Sequence, residues 1–316
     1  MKKLILLALV GLGYWGYQIY KEGGDPVSEI SETLSREASD FKEGFERGYE
    51  ATASERTQSE ASGVDYPSSV SERLELPRLS RKSGQYFVVH EVDGEVNYSL
   101  EYDAERYHSR WVAFTFDDKN SADRVGRMDT WAWDPKLPQR LSTENDFRGS
   151  GYSRGHLVAS EDRVWAKEAN MQTFYYSNIS PQLQEHNAGV WKRLEEKVRS
   201  WGRNSRMRRV MYVAKGGTIA DGQIESRRVR NRIVIPKYYW MALLAEDNEG
   251  EYHAIAFLTE HRAYERGEDN LKRLALSVDE LESFTGLDFF HNLDDAIEER
   301  VEAESADGKD ARRYWW

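Results

Sequence analysis

The 316-residue sequence contains no cysteine. That absence excludes disulfides, thiolate metal sites, cysteine nucleophiles and lipid attachment to an amino-terminal cysteine, while leaving the compartment open. Proline is scarce at seven residues. No internal repeat is present, and no glycine fingerprint marks a strand-to-helix turn, which argues against a regular strand-helix repeat. Acidic residues outnumber basic ones by 55 to 44, a net charge of -11 that by itself argues against nucleic acid as a partner. The distribution points the other way, because Lys192 to Arg232 holds 13 basic and 4 acidic residues. Such a segment is either a solvated arginine-rich surface or a phosphate-facing patch.

Apolar material suffices for the core of one large domain or two. At the amino terminus Lys2 and Lys3 precede an apolar run from Leu4 that continues to Tyr20. Residues 1–21 are therefore a signal peptide or a membrane anchor. The lack of an Ala-x-Ala cleavage site and the aromatic character of Gly11 to Tyr20 favour an uncleaved anchor through residues 4–20. The positive end would stay in the cytoplasm, so the expected location is exported, periplasmic or extracytoplasmic, with tethering to the inner membrane. Residues 22–75, rich in Ser, Glu, Gly and Thr, form an expected acidic linker with little to bury. The globular part then spans 76–300, and 301–316 is a tail ending in Tyr314-Trp315-Trp316, expected to dock on the domain rather than on a partner.

Aromatic and β-branched alternation predicts strands at Tyr86 to His90, Trp111 to Phe116, Thr173 to Ser177, Val210 to Val213, Ile233 to Ile235, Tyr239 to Ala245 and His253 to Leu258. Helical periodicity covers Glu161 to Met171, Asn187 to Trp201 and Val278 to Phe284, the last opened by Ser277 with Glu280 three residues on. Strands with interspersed helices give an α+β class.

The helix from Asn187 carries an apolar stripe of Trp191, Leu194, Val198 and Trp201. Asn187, Glu195 and Arg199 lie beside it, spanning about 120 degrees of surface because four-residue steps drift by roughly 40 degrees. They can share a cleft wall. Taken alone, Glu195 and Arg199 also fit an ordinary i, i+4 ion pair on an amphipathic helix.

The ordered set decides between these readings. Gly149-Ser150-Gly151-Tyr152-Ser153-Arg154-Gly155-His156 is followed by Gln172 to Gln182, by Asn187-Ala188-Gly189-Val190-Trp191, and by Leu194-Glu195 and Arg199. With Trp111 to Phe114 and Asp134-Pro135 upstream and Thr285 to Phe290 downstream, it closely resembles the DNA/RNA non-specific endonuclease family, over most of residues 80–293.

The resemblance implies a ββα-metal (His-Me finger) fold with a mixed or antiparallel central sheet. It also implies Mg-dependent hydrolysis of DNA and RNA without sequence selectivity, with Mn as a substitute cation and the phosphate backbone as the surface contacted. His156 matches the general base, a role suited to an imidazole that is substantially neutral at pH 7. Asn187 matches the direct ligand of the cation, with Glu195 reaching it through water. Arg199 and Arg154 belong to the same catalytic set. Arg127, with Arg124 as a rival, is the candidate for an upstream phosphate clamp. Asn178 matches a supporting asparagine or simply caps the loop to Pro181. Ser153 departs from the family's usual Asp-Arg-Gly-His and brings no charge. Two alternatives remain open: a catalytically impaired nucleic-acid-binding protein on the same fold, and a membrane-tethered interaction module. A protein inhibitor or a homodimer is left open.

Overall fold

The computed structural model describes residues 66–316 except Arg266. The expected anchor and most of the expected linker lie outside the described residues. Among the described residues no helix is long and apolar enough to cross a membrane.

A seven-stranded antiparallel sheet forms the frame. Its strands are β1 (Gln85–Val92), β2 (Glu95–Asp103), β3 (His108–Phe116), β6 (Val210–Gly217), β7 (Tyr238–Glu246), β8 (Tyr252–Glu260) and β9 (Ala275–Leu276), in that spatial order. Sequence alternation missed β2, although Asp93-Gly94, both at positive φ, is the two-residue turn that a β1–β2 hairpin demands.

Along β7 the side chains alternate between faces. Tyr239, Met241 and Leu243 enter the core on one side. Trp240 meets Phe289 on the other, with ring centroids 5.1 Å apart. The first face is covered by α3 (Lys192–Gly202), whose predicted stripe of Trp191, Leu194, Val198 and Trp201 is 5% exposed or less throughout. The second carries α4 (Val278–Thr285), whose Phe284 packs edge-on against Tyr238 of β7. Helix α4 starts as predicted: the Ser277 hydroxyl accepts from the Glu280 N–H while the Glu280 carboxylate accepts from Ser277 N–H. Gly286, left-handed at φ 69°, ends it.

A second sheet has two strands, β4 (Ser153–His156) and β5 (Ile179–Gln182), paired antiparallel with Ser153 opposite Gln182 and His156 opposite Ile179. A single turn, α2 (Gln184–His186), leads from β5 towards α3.

Several expectations change here. Thr173 to Ser177 is not a strand but a turn entering a 3-10 segment at Tyr176–Asn178, because Thr173 and Asn178 side chains bond to local backbone instead of a ladder. Ile233 to Ile235 is not a strand: only Ile233 is bridged, to Val229, since Arg230 and Asn231 take left-handed conformations that fold the chain back on itself. Glu161 to Met171 is not one helix: a 3-10 turn, Ser160–Arg163, is separated from α1 (Lys167–Gln172) by extended Ala166. Asn187 to Trp201 is also interrupted, with a π turn at Asn187–Trp191 and non-helical φ/ψ at Gly189 before α3 begins.

Packing begins before residue 76. Val70 is 3% exposed, and the Tyr66 ring meets Phe87 at 4.8 Å. At the other end α5 (Asp295–Glu302) runs across residue 300, and α6 (Lys309–Trp315) seats Trp315 in the core against Trp201 at 5.1 Å.

Candidate active site

The β4, β5 and α3 elements form a ββα unit held to the large sheet by buried polar contacts. Ser180 of β5 bonds to His108 Nε2 at 2.6 Å and to the Tyr239 hydroxyl at 2.7 Å. Tyr239 also donates to the Pro181 carbonyl. The His261 ring fixes the entry to α2: its Nε2 accepts from Leu183 N–H, so its Nδ1 donates to the Pro236 carbonyl. Burial pushes His261 down to about 4, which keeps it neutral and able to accept.

Asn178 is buried and fully used. Its amide donates to the Val158 and Thr173 carbonyls, and its oxygen accepts from Val158 N–H. It therefore holds the strand end that carries His156, with no donor left for a ligand.

His156 packs against Trp131 and Phe174 at centroid distances of 5.2 and 5.0 Å. Its Nε2 is buried without a hydrogen-bond partner. Burial first, then the charges of Arg127 and Lys215, push its pKa down to about 3. The imidazole is consequently neutral, with an unshared lone pair, across the physiological range. The two flanking arginines reach it through aromatic rings: Arg127 lies 4.8 Å over Phe174, and Arg154 lies 4.7 Å over Trp131. Arg127, not its rival Arg124, is the arginine whose charge bears on His156. Arg127 is also paired with Asp129 at 3.0 Å.

Asn187 opens the π turn, half-buried, and its side chain makes no hydrogen bond to any described residue. The break at Gly189 means that Asn187 does not continue the α3 face carrying Glu195 and Arg199, so the uniform helical wall expected from spacing is not formed. Ser153 donates to Gln184 Oε1 at 2.5 Å and thereby ties β4 to α2.

Glu195 and Arg199 do not form the simple i, i+4 pair. Arg199 Nε donates to Asp162 at 2.7 Å, and Glu195 accepts from Lys215 Nζ at 2.8 Å. Lys215 also lies 4.0 Å from Asp162, completing an alternating set of two acids and two bases. Burial raises Glu195, Lys215 opposes it, and Asp162 adds to the rise. Burial works against the Arg199 charge, but Asp162 and Glu195 outweigh it and hold its pKa above the usual value.

Sequence reasoning missed Asp162, Lys215, Trp131 and His261. Lys215 left the clearest trace, a lone cation in the apolar β6 strand, where it is paired in register with Val112 and Met241.

The basic segment is less free than its count implies. Arg193, Arg199, Arg203, Arg208, Arg209, Lys215 and Arg232 are all engaged by acids from other elements. Arg227 instead donates to the Tyr152 hydroxyl at 2.6 Å, and Arg230 to the Arg148 carbonyl. These two exposed arginines sit against the chain that leads into β4.

The chain matches the model of the DNA/RNA non-specific endonuclease family across residues 87–296. It belongs to that family. With membership come the enzyme class, a hydrolase of nucleic-acid phosphodiesters, and dependence on a metal ion. A nuclease of Nostoc sp. is 28% identical over 214 residues, 65% of this chain and 75% of that protein. Mouse mitochondrial nuclease EXOG is 28% identical over 210 residues, 63% and 56% of the two chains. Human mitochondrial endonuclease G is 29% identical over 160 residues, 48% and 52%. The chain thus spans between about half and three quarters of these three relatives' lengths. Endonuclease G in its complex with the inhibitor EndoGI shares the fold at a TM-score of 0.59 and 22% identity, covering 73% of this chain and 95% of that one.

Proposed function

We propose that this protein is a Mg-dependent endonuclease that hydrolyses DNA and RNA without sequence preference, using His156 as general base. The observation that carries this reading is the buried, unpartnered Nε2 of a neutral His156 at the end of β4, in the same ββα unit as the unpartnered Asn187 amide. A base must have its lone pair available at the working pH, and His156 has it.

The donor set suits Mg, with Mn as a substitute. Asn187 offers a neutral amide oxygen committed to nothing else, appropriate for a hard ion that keeps several waters and takes phosphate oxygens. When bound, the cation would neutralise charge that builds on the phosphoryl oxygens and on the leaving 3′-oxygen. Glu195 commits one oxygen to Lys215 and takes no hydrogen bond on the other from any described residue, which leaves that oxygen for water.

His156 removes a proton from water, the resulting hydroxide attacks phosphorus, and the bond to the 3′-oxygen breaks as that oxygen takes a proton from water, leaving a 3′-hydroxyl and a 5′-phosphate. Arg199, aligned by Asp162 through Nε, keeps its terminal nitrogens for phosphate oxygens. Arg127 and Arg154, anchored on rings rather than locked in buried ion pairs, contribute positive potential beside the same base. Arg227 and Arg230 extend it along the backbone of the bound strand, which positions nucleic acid without reading its bases.

The test is incubation of the full chain with plasmid DNA and with RNA, in Mg and in EDTA. Cleavage of both only in Mg supports the reading; intact plasmid and RNA in Mg would leave a binding protein on the same fold. The proposal extends to location: residues 4–20 hold the enzyme on the extracytoplasmic side of the inner membrane. Amino-terminal sequencing of the mature protein checks this, since a start beyond residue 21 removes the anchor.

A further inference from the structure

A different cluster lies on α4 and α5, outside the ββα unit. Asp279 and Glu282 stand one turn apart on α4, and Glu302 is the last residue of α5. One carboxylate oxygen from each lies within 4.8 Å of the others. Exposure is graded along the cluster: Asp279 is exposed, Glu282 half-buried and Glu302 5% exposed.

Acidic clusters on surfaces are common, but this one has a buried floor. Glu302 Oε1 is shielded from solvent and has no hydrogen-bond partner, and Glu302 contributes one carboxylate oxygen to the converging group. A buried carboxylate without a partner costs free energy that a bound cation removes. The charges acting on Glu302 are those of Glu282, Glu298, Asp279 and Asp288, all acidic. Burial and these neighbours push Glu302 up to about 9, and burial likewise raises Glu282 to about 7.

We propose that Asp279, Glu282 and Glu302 form a second cation site, distinct from the ββα unit, that takes a hard divalent ion of the Ca2+ class and ties the end of α5 to α4. The donors are oxygen only, which excludes ions that need sulfur or imidazole. Carboxylates from two separate helices suit the larger, geometrically tolerant Ca2+ better than the strict octahedron of Mg2+. Exposed Asp279 gives the ion its entry path and room for water. The site is structural, so its occupancy changes stability rather than the chemical step.

Calorimetric unfolding of the full chain with CaCl2 against EDTA tests it. At a hundredfold excess over Kd, Ca2+ raises the wild-type Tm by about 5–10 °C. Glu302→Gln loses that shift while unfolding at an equal or higher Tm in EDTA, because a neutral isostere relieves the crowding. Asn187→Ala keeps the shift. Should Glu302→Gln fail to fold, Asp279→Asn on the exposed arm serves instead and weakens Ca2+ binding at least tenfold. An unchanged shift in both cluster variants, or its loss in Asn187→Ala alone, would place the ion elsewhere and overturn the site. So would a wild type that ignores Ca2+ and gains Tm only on acidification from pH 8 to 6, since protons would then fill the cluster.

Discussion

Lys215 Nζ lies 2.8 Å from Glu195 Oε1 on α3 and 4.0 Å from Asp162 Oδ2, and only 1% of the lysine side chain is exposed. This cation from the centre of the large sheet connects the frame to the proposed catalytic helix. It opposes the burial that raises Glu195 and places positive potential behind His156. Lys215→Met strands Glu195 and leaves Asp162 to Arg199, and removal of one member of a buried ion pair costs about 3–5 kcal/mol. Urea unfolding should show a loss of that size; a change below about 1 kcal/mol would mean that Arg199 alone compensates both acids.

The pH dependence follows from the same field. The His156 pKa is lowered to about 3 by burial, Arg127 and Lys215, so the proposed base loses its lone pair only as pH falls towards that value. The acid limb of kcat/KM should therefore lie well below the 6.5 of an unperturbed histidine. Arg127→Gln removes one of the two charges and should move the limb to higher pH. A wild-type limb at 6.5, unmoved in Arg127→Gln, contradicts the field as drawn.

On the proposed function, Asp162 serves to position Arg199, to which it is bonded through Nε. Asp162→Asn keeps the shape but weakens the 2.7 Å contact to Arg199 Nε. Loss of an orienting partner of this kind lowers activity by about 10–100-fold. The effect should fall more on kcat than on KM, if Arg199 acts on charge that develops during the reaction, and Asp162→Glu should recover part of it. Equal loss in Asp162→Asn and Asp162→Glu, with unfolding at lower urea in both, would reduce the role to stability.

Gly155 sits between Arg154 and His156, and an added Cβ would run into the buried Gln182 side chain across the β4–β5 ladder. Gly155→Ala should cost about 1–3 kcal/mol by overpacking and displace His156. Measured activity falling while the metal titration stays unchanged would localise the damage to the strand.

These relationships divide what was legible in the sequence from what was not. The stripe of Trp191, Leu194, Val198 and Trp201 was readable because helical periodicity is local, and all four are buried. The set Ser153 to His156 with Asn187, Glu195 and Arg199 stood out only through the resemblance to the family, which orders residues far apart in the chain. The partners of that set were not. Asp162 precedes Arg199 by 37 residues and Lys215 follows Glu195 by 20, so nothing in periodicity links them. Thr173 to Ser177 misled because its rings pack on scattered partners, Phe174 on His156, Tyr175 on His90 and Tyr176 on Trp131, rather than along one sheet face. The arginine-rich stretch misled by count, since tertiary pairing with acids distant in sequence consumes most of its charge.

Ser153 is the position where the chain departs from the family's usual sequence. Its hydroxyl holds Gln184, so Ser153→Asp exchanges a donor for a charge at the junction of β4 and α2. The added carboxylate should lower the Mg concentration for half-maximal activity several-fold, because a nearby anion favours a cation. An unmoved Mg titration places Ser153 outside the cation's reach.

The most direct test of the account is the single-turnover cleavage rate of supercoiled plasmid by the full chain and by His156→Ala, at saturating Mg and matched folded concentration. Loss of the proposed base should lower the rate by about 10²–10⁴-fold while DNA binding and the Mg titration persist. Cleavage by His156→Ala at the wild-type rate would contradict the assignment of His156 as the group that activates water.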